Sequence, residues 1–408
     1  MAFGKIWVIA FRDLGRNRRR SGLTMLAVAL GLALLILMSG LVAGIFDSII
    51  ANSIQLNSGH VQVRAESFVF ERPSLDWQDL LEDSDELLQR AVNTPGVKAA
   101  APVLWSSGFV DTSNEMFGVS VTGIDPESSF HDPIRENMIA GEYLSIDDRD
   151  GVLIGRKLAE ELGLGVGSKI SLLVGTSDGE TDVDIFTVRG VFSTGIVLYD
   201  RGVYMPLPKA QAITNVGDRI SALILLADDT KMADPIADAL RSPGLSLVTW
   251  KDMNALILGA MEQGMAFYYL IYAIIILVVA VIIANTLLMS VFERTRELGI
   301  LAALGLKGHQ IMGMVLLEAG TIAILGSIGG ILLGLLAVWF LSTNGIPIGD
   351  DVASMVESYA YPSVFYAKFV PGVFSAVTLA MLGIVLLAAV YPARYAARLE
   401  PVDALHAL

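Results

Sequence analysis

The sequence predicts a polytopic α-helical membrane protein, with one transmembrane helix ahead of a large α+β domain and three behind it. Three observations carry that expectation. Of 408 residues, 54% are hydrophobic and only 17% charged, too apolar for an ordinary soluble chain of this length. Four windows without a charged residue, 22–46, 263–292, 319–349 (apolar to about 341) and 369–393, each exceed the ~20 residues that cross a ~30 Å hydrocarbon core. Between the first and second windows lie roughly two hundred residues, enough to bury a core of their own.

Residues 1–20 carry Lys5, Arg12, Arg16, Arg18, Arg19 and Arg20 against a lone Asp13. Phe3, Ile6, Trp7, Ala10, Phe11 and Leu14 recur at helical spacing, so the segment reads as an amphipathic helix on the membrane surface or as a simple basic flank. The apolar run that follows is longer than the ~7–15 residues of a signal-peptide core, and no small-x-small site precedes Asp47. It reads as a retained signal anchor. Arg294, Arg296 and Lys307 lie between spans two and three, and Arg394 and Arg398 follow span four. With four spans these basic segments fall on one side, which the positive-inside rule makes the cytoplasm. Residues 47–262 hold 33 acidic and 16 basic residues, a net charge of −17, so the acidity belongs to an extracytoplasmic domain and argues against nucleic-acid binding. Cysteine is absent, which excludes disulfide staples and thiol chemistry.

The outer domain, 51–262, mixes strand and helix patterns. Strands are expected at 60–64, 97–103, 109–112, 117–124, 151–154, 169–174, 186–192, 203–205, 222–226 and 245–250, with 169–174 and 186–192 joined through Asp178-Gly179. Helices are expected at 85–92, 156–162 and 232–240, the first stopped by Pro95-Gly96. The last β-α-β unit resembles the first group, which makes 128–215 look inserted between 51–127 and 216–262. Gly163, Gly165 and Gly167 precede a strand instead of opening a helix, so they read as a turn and not a nucleotide loop. Asp147, Asp148 and Asp150 lack EF-hand spacing, and His60, His131, His309 and His406 form no ligand set. No catalytic constellation and no metal or cofactor site emerges, so the chain is not read as an enzyme.

In the membrane half, 263–408, the distinctive element follows span two. The uncharged run ends abruptly in Glu293, Arg294, Arg296 and Glu297, and an apolar stretch bounded by Gly299 and Gly305 comes next. This reads either as a helix that touches a partner at the membrane surface or as a solvated charge cluster. Glu293 and Arg296 are spaced to pair at i,i+3, which would leave Arg294 to reach a partner's carboxylate. Gly326, Gly330 and Gly334, with Gly40 and Gly44 in span one, form GxxxG patterns that fit close helix packing within the chain or across a dimer. No charge sits near the middle of any window, which disfavours ion-coupled transport. The P-loop pattern GxxxxGK(S/T) is absent, so energy for work would come from a partner.

The segments FERTRELGILAALGLKGHQI (292–311), LGRNRRRSGLTMLAVALG (14–31) and YPARYAARLEPVDAL (391–405) resemble FtsX-like ABC permeases. The 1+3 layout with a large outer domain is similar to MacB and to the lipoprotein-releasing permeases LolC and LolE. NSGHVQVRAESF (57–68), TGIDPE (122–127) and VYMPLPKAQAI (203–213) resemble the LolE side most. The resemblance implies a bacterial inner-membrane subunit with cytoplasmic termini and a periplasmic domain of MacB type, a porter-like core carrying a sabre-like insertion. It implies a cytoplasmic LolD-like ATPase dimer that holds ATP and Mg, none being bound by this chain, and a second permease copy or paralogue. By position, 293–305 would be the ATPase-coupling helix, with Glu293, Arg294, Arg296, Glu297, Leu298, Gly299, Leu301, Ala303, Leu304 and Gly305 as its residues. Leu41, Ile45, Phe267 and Tyr268 would line an acyl-chain cavity. The implied activity is mechanotransmission that releases a lipoprotein to a periplasmic carrier. A MacB-like exporter working through a periplasmic adaptor, and FtsX-like signalling to cell-wall hydrolases, are the alternatives.

Overall fold

The computed structural model describes residues 18–69, 74–82, 84–111, 116–196, 199–347 and 364–399. The expected N-terminal amphipathic helix and the end of the 391–405 motif lie outside them. The described residues divide into a membrane unit, drawn from Met1–Phe46, Met261–Ile346 and Val364–Leu408, and an outer unit, drawn from Asp47–Ala260 and Pro347–Ser363.

Four helices are long and apolar enough to cross a membrane: Arg18–Ser53, Ala255–Glu293, Gly308–Asn344 and Pro371–Ala397. In lipid only a helix satisfies its own backbone groups, which is why uninterrupted apolar sequence takes this form. The four share one core: Leu32 and Leu35 of span one, Ile283 of span two, Ile322 of span three and Val385 of span four are all buried. Leu277, Leu332 and Leu387 are exposed on the bundle's outside, an apolar girdle suited to acyl chains.

Small residues set how closely the helices approach. A Cβ on Gly326 would stand 2.7 Å from Val28 Cβ, one on Gly330 2.8 Å from the Ala29 carbonyl oxygen, and one on Gly334 2.9 Å from Ile36 Cβ. The GxxxG face of span three therefore lies on span one of the same chain. Gly40 faces Val338 of span three, and its carbonyl accepts a 2.8 Å hydrogen bond from the Lys368 amide. A Cβ on Gly44 would come within 1.9 Å of the Tyr366 carbonyl oxygen. These glycines bring backbone against backbone, the geometry in which they are hardest to replace.

The outer unit is built on one ten-stranded sheet. In chain order its strands are β1 (Val61–Ala65), β2 (Val97–Asp111), β3 (Met116–Ile124), β4 (Met138–Gly141), β5 (Gly151–Gly155), β6 (Lys169–Gly175), β7 (Thr181–Phe192), β8 (Val203–Pro206), β9 (Ala222–Ala227) and β10 (Leu245–Thr249). Strand β9 lies between β1 and β2 and is antiparallel to both, so the two ends of the domain's sequence interleave. The middle strands join through the parallel β3–β8 pair and the antiparallel β2–β6 pair. Helices Ser84–Val92 and Ala233–Leu240 pack with β1 and β9 in one core, while Arg156–Leu162 and Leu207–Thr214 pack with β5 to β8 in another.

Two expectations from the sequence change here. The separate strands at 97–103 and 109–112 are a single strand, β2, because the chain changes partner without turning. Its first part pairs with β9 and its last with β6, and Gly108 allows the crossing, since a Cβ there would meet the Leu173 carbonyl oxygen at 2.5 Å. Strand β7 begins at Thr181, five residues before the expected start, and pairs Gly175 with Thr181 through Lys169 with Thr187. Its early residues alternate Asp182 and Asp184 with exposed Val183 and Ile185, an outward apolar pattern that hid the strand.

Replacing Gly44 by alanine should lower the apparent unfolding midpoint in detergent, by the equivalent of about 1–3 kcal/mol of overpacking. Gly313→Ala, in a helix and with open space around the added methyl, should match or exceed wild type, since helical glycine costs about 0.5–1 kcal/mol relative to alanine. Equal midpoints for the two variants would contradict the packing described for span one.

Candidate functional site

The site is the turn of chain between spans two and three. Span two stops at Glu293, and Arg294 leaves the helical conformation at φ −110°, ψ 15°. The chain then resumes as a short helix, Thr295–Ala303. The Thr295 hydroxyl donates to the carbonyls of Val291 (3.2 Å) and Phe292 (2.9 Å), covering two of the acceptors that a helix end leaves open. Gly305 closes the short helix at φ +94°, where glycine carries no Cβ penalty, and its amide donates to the Ala302 carbonyl. Span three starts after Lys307, whose amide donates to the Gln310 side chain at 3.0 Å.

The short helix has two faces. Inward, Leu298 is 3% exposed and Gly299 is buried, and Leu298 with Leu301 joins an apolar cluster of Val291, Ile311, Met314, Ala393 and Ala396. Phe292 meets Tyr395 edge to face at 5.2 Å. Burial of one leucine at this depth is worth about 1.5–3 kcal/mol. The helix is thereby seated on the ends of spans two, three and four. Outward, Arg296, Ile300, Ala303, Leu304 and Lys307 recur at spacings of three and four and are all exposed, Ile300 at 45% and Leu304 at 76%. The result is a small apolar patch flanked by two cations.

The ion pairs differ from those the spacing suggests. Glu293 accepts from Arg20 of span one at 2.6 Å. Arg294 is not free for a partner: its guanidinium lies 3.3 Å from Glu297 and 3.5 Å from Glu318, and its side chain is 17% exposed. Arg296 makes no ion pair among the described residues and is the exposed arginine. The physical reason is the break at Arg294. Glu293 ends one helix and Arg296 belongs to the next, so the i,i+3 geometry of a continuous helix does not join them. Glu318, Arg20 and Ile300 are the residues that sequence reasoning passed over. Glu318 had a signal: it is the lone acidic residue of Gly308–Asn344, and an ionisable group in such a helix needs a partner.

Other singled-out residues sit elsewhere. Leu41 packs onto the bundle core, Ile45 and Tyr268 are half-buried, and Phe267 is 62% exposed. In the outer domain Gly163 ends helix Arg156–Leu162 in the left-handed region at φ +64°, and Asp148 pairs with Arg189 at 3.1 Å.

Truncating Arg294 to alanine should cost about 2 kcal/mol, between the values for exposed and buried pairs, because it leaves Glu318 without this guanidinium. Arg296→Ala should stay within about 0.5 kcal/mol of wild type, as exposed substitutions do. Unfolding midpoints of the two purified variants check this ordering, and a reversed order would refute it.

Residues 21–242 match the MacB-like periplasmic core domain, and residues 269–401 match the FtsX-like permease C-terminal region. The chain is 24% identical to the lipoprotein-releasing system transmembrane protein LolC of Neisseria meningitidis serogroup B, over 96% of this chain and 95% of that one. It is 25% identical to the macrolide export ATP-binding/permease protein MacB of Hyphomonas neptunium, over 97% of this chain and 60% of that one. Among solved structures it is similar to the periplasmic region of MacB from Actinobacillus actinomycetemcomitans, at a TM-score of 0.36 and 15% identity, covering 52% of this chain and 97% of that one. The chain belongs to the MacB-like periplasmic core domain family and carries an FtsX-like permease region behind that domain.

Proposed function

We propose that this chain is the permease subunit of an ABC transporter of LolC/LolE type. A cytoplasmic LolD-like ATPase dimer docks on the outward face of 296–307, and its ATP-driven movement is passed mechanically to the outer domain, which releases lipoproteins from the inner membrane. The observation that carries this reading is the two-sided helix Thr295–Ala303. Its inner face is packed onto three spans and its outer face offers Ile300 and Leu304 between Arg296 and Lys307. A firmly seated helix passes displacement on, whereas a loose loop would absorb it. ATP and Mg would be held by the partner, since the sequence has no P-loop pattern. The positive-inside rule supports cytoplasmic termini and a periplasmic outer domain. A second permease, a copy or a paralogue, and a periplasmic carrier complete the assembly. The alignment with LolC over almost the whole of both chains supports this choice. The MacB alignment covers as much of this chain and favours an exporter of small molecules as the second reading.

Ile300→Asp combined with Leu304→Asp should weaken association with the ATPase at least tenfold in a pull-down from detergent, while the unfolding midpoint is unchanged. Association at wild-type strength would remove the docking claim. Purified with its ATPase and without nucleotide, the complex should retain acylated proteins detectable by mass spectrometry and lose them when MgATP is added. A preparation devoid of acylated protein, whose ATPase is stimulated by small amphiphiles, would favour the exporter reading.

A further inference from the structure

The outer unit carries a cleft of about 440 Å³ that the coupling account does not use, within the ~300–1,000 Å³ range of small-ligand sites. Its wall includes Ser53, the last residue of helix Arg18–Ser53, and Ala255, the first of helix Ala255–Glu293. Ser53 stands seven residues, or about 10 Å of helix, beyond the charge-free window that ends at Phe46. Two of the described lining residues carry charge, Arg64 and Asp252, and they are of opposite sign. The neutral polar groups Ser53, Asn57, Ser58 and Asn254 line it as well. An apolar side includes Val69 and Leu256, large side chains that are 53% and 89% exposed.

The two charged groups are held firmly. Arg64, on β1, is 6% exposed. Its Nε donates to the Gln62 side-chain oxygen at 2.8 Å, and a terminal nitrogen donates to the same oxygen. That nitrogen lies 3.3 Å from the Met253 sulfur, and the guanidinium carbon is 5.4 Å from the centre of the Phe68 ring. Met253 and Phe68 both line the cleft, so the cationic end of Arg64, and not its stem alone, stands at the wall. Gln62 is fully buried, and its amide donates to the Asn57 carbonyl at 2.8 Å, which ties the arginine to the turn Ile54–Ser58. Asp252 caps the short helix Trp250–Met253: one carboxylate oxygen accepts from the Thr249 amide at 3.0 Å and from its hydroxyl at 2.7 Å. Its other oxygen makes no hydrogen bond among the described residues, and the residue is exposed.

We infer that this cleft binds the headgroup of a phospholipid of the phosphatidylethanolamine class, its phosphate on Arg64, its primary ammonium on Asp252 and its glycerol end against Val69, Met253 and Leu256. A guanidinium fork meets a phosphate with two parallel N–H···O bonds, and a pre-set fork loses little freedom in doing so. A carboxylate with an open oxygen suits an ammonium, which brings three donors. The pairing of signs also selects against an anionic lipid, because residues 47–262 carry a net charge of −17 and the lining adds no surplus of positive charge. Exposed Val69 and Leu256 offer apolar surface where the acyl chains begin. The site is independent of the ATPase-docking face and of what the outer domain releases.

The test is native mass spectrometry of the full chain in detergent, with phosphatidylethanolamine, phosphatidylcholine, phosphatidylglycerol and free phosphoethanolamine as probes. One phosphatidylethanolamine should be retained about tenfold more strongly than phosphatidylglycerol, which lacks the ammonium, or phosphatidylcholine, whose methylated ammonium has no N–H to give. Free phosphoethanolamine should bind at least tenfold more weakly than the lipid. Asp252→Asn, which keeps an acceptor for the helix cap, should erase the preference over phosphatidylglycerol, and Arg64→Gln should weaken all three lipids about tenfold. Equal retention of the three lipids by the wild type, a preference that survives Asp252→Asn, or lipid affinities unchanged by Arg64→Gln would each overturn the assignment. Phosphoethanolamine binding as tightly as the lipid would give the cleft to a soluble phosphate and overturn it too. If Arg64→Gln does not fold, the lipid ranking and Asp252→Asn, at an exposed position, decide between the same outcomes.

Discussion

At the end that carries the short helix, the membrane unit depends on how one buried carboxylate is paired. Glu318 lies inside an otherwise apolar helix and is 9% exposed, a position that an isolated carboxylate would hold only by giving up its charge. The break after span two brings Arg294 to it. Because the chain leaves the helical path at Arg294, that side chain can turn inward while the next arginine turns out. The same break lets the short helix lay Leu298 against residues of spans three and four. The Arg294 ion pairs with Glu297 and Glu318, one apolar cluster and one edge-to-face ring contact together set the direction in which Arg296, Ile300, Leu304 and Lys307 face. Each part is modest alone, and together they seat the short helix.

Much of this was legible in the sequence, and the parts that were not have specific physical causes. Charge-free windows of sufficient length marked the four apolar helices, since no other pattern satisfies backbone groups in hydrocarbon. The abrupt charge cluster and Gly305 marked the short helix. The wiring of the cluster was not legible, because spacing rules assume a continuous helix and Arg294 interrupts it. Starting the third window at Ala319 also cut off Glu318, the residue that explains Arg294. Ile300 was passed over because an isoleucine in an apolar stretch carries no signal of its exposure. The side on which it lies is set by Leu298 and Gly299 going inward.

In the outer unit the lesson concerns strands that change partner. Pattern located nine of the ten strands of this sheet and missed the four-residue β4, Met138–Gly141, while Val97–Asp111 reads as two because its first part and its last serve different neighbours. Gly108 marked the crossing, and glycine within a strand often signals such close approach. The interleaving of β9 between β1 and β2 is a long-range pairing that local pattern does not encode.

The central claim is that the exposed face of Thr295–Ala303 is the surface a cytoplasmic ATPase covers. The absence of cysteine permits a direct measurement, because a single introduced thiol reports on one position. Leu304→Cys should react rapidly with a membrane-impermeant maleimide in inside-out vesicles and become at least tenfold slower when the ATPase is bound. The unsubstituted chain, which has no cysteine, serves as the reference and should stay unlabelled with and without the ATPase. A labelling rate at Leu304→Cys that is the same with and without the ATPase would contradict the account.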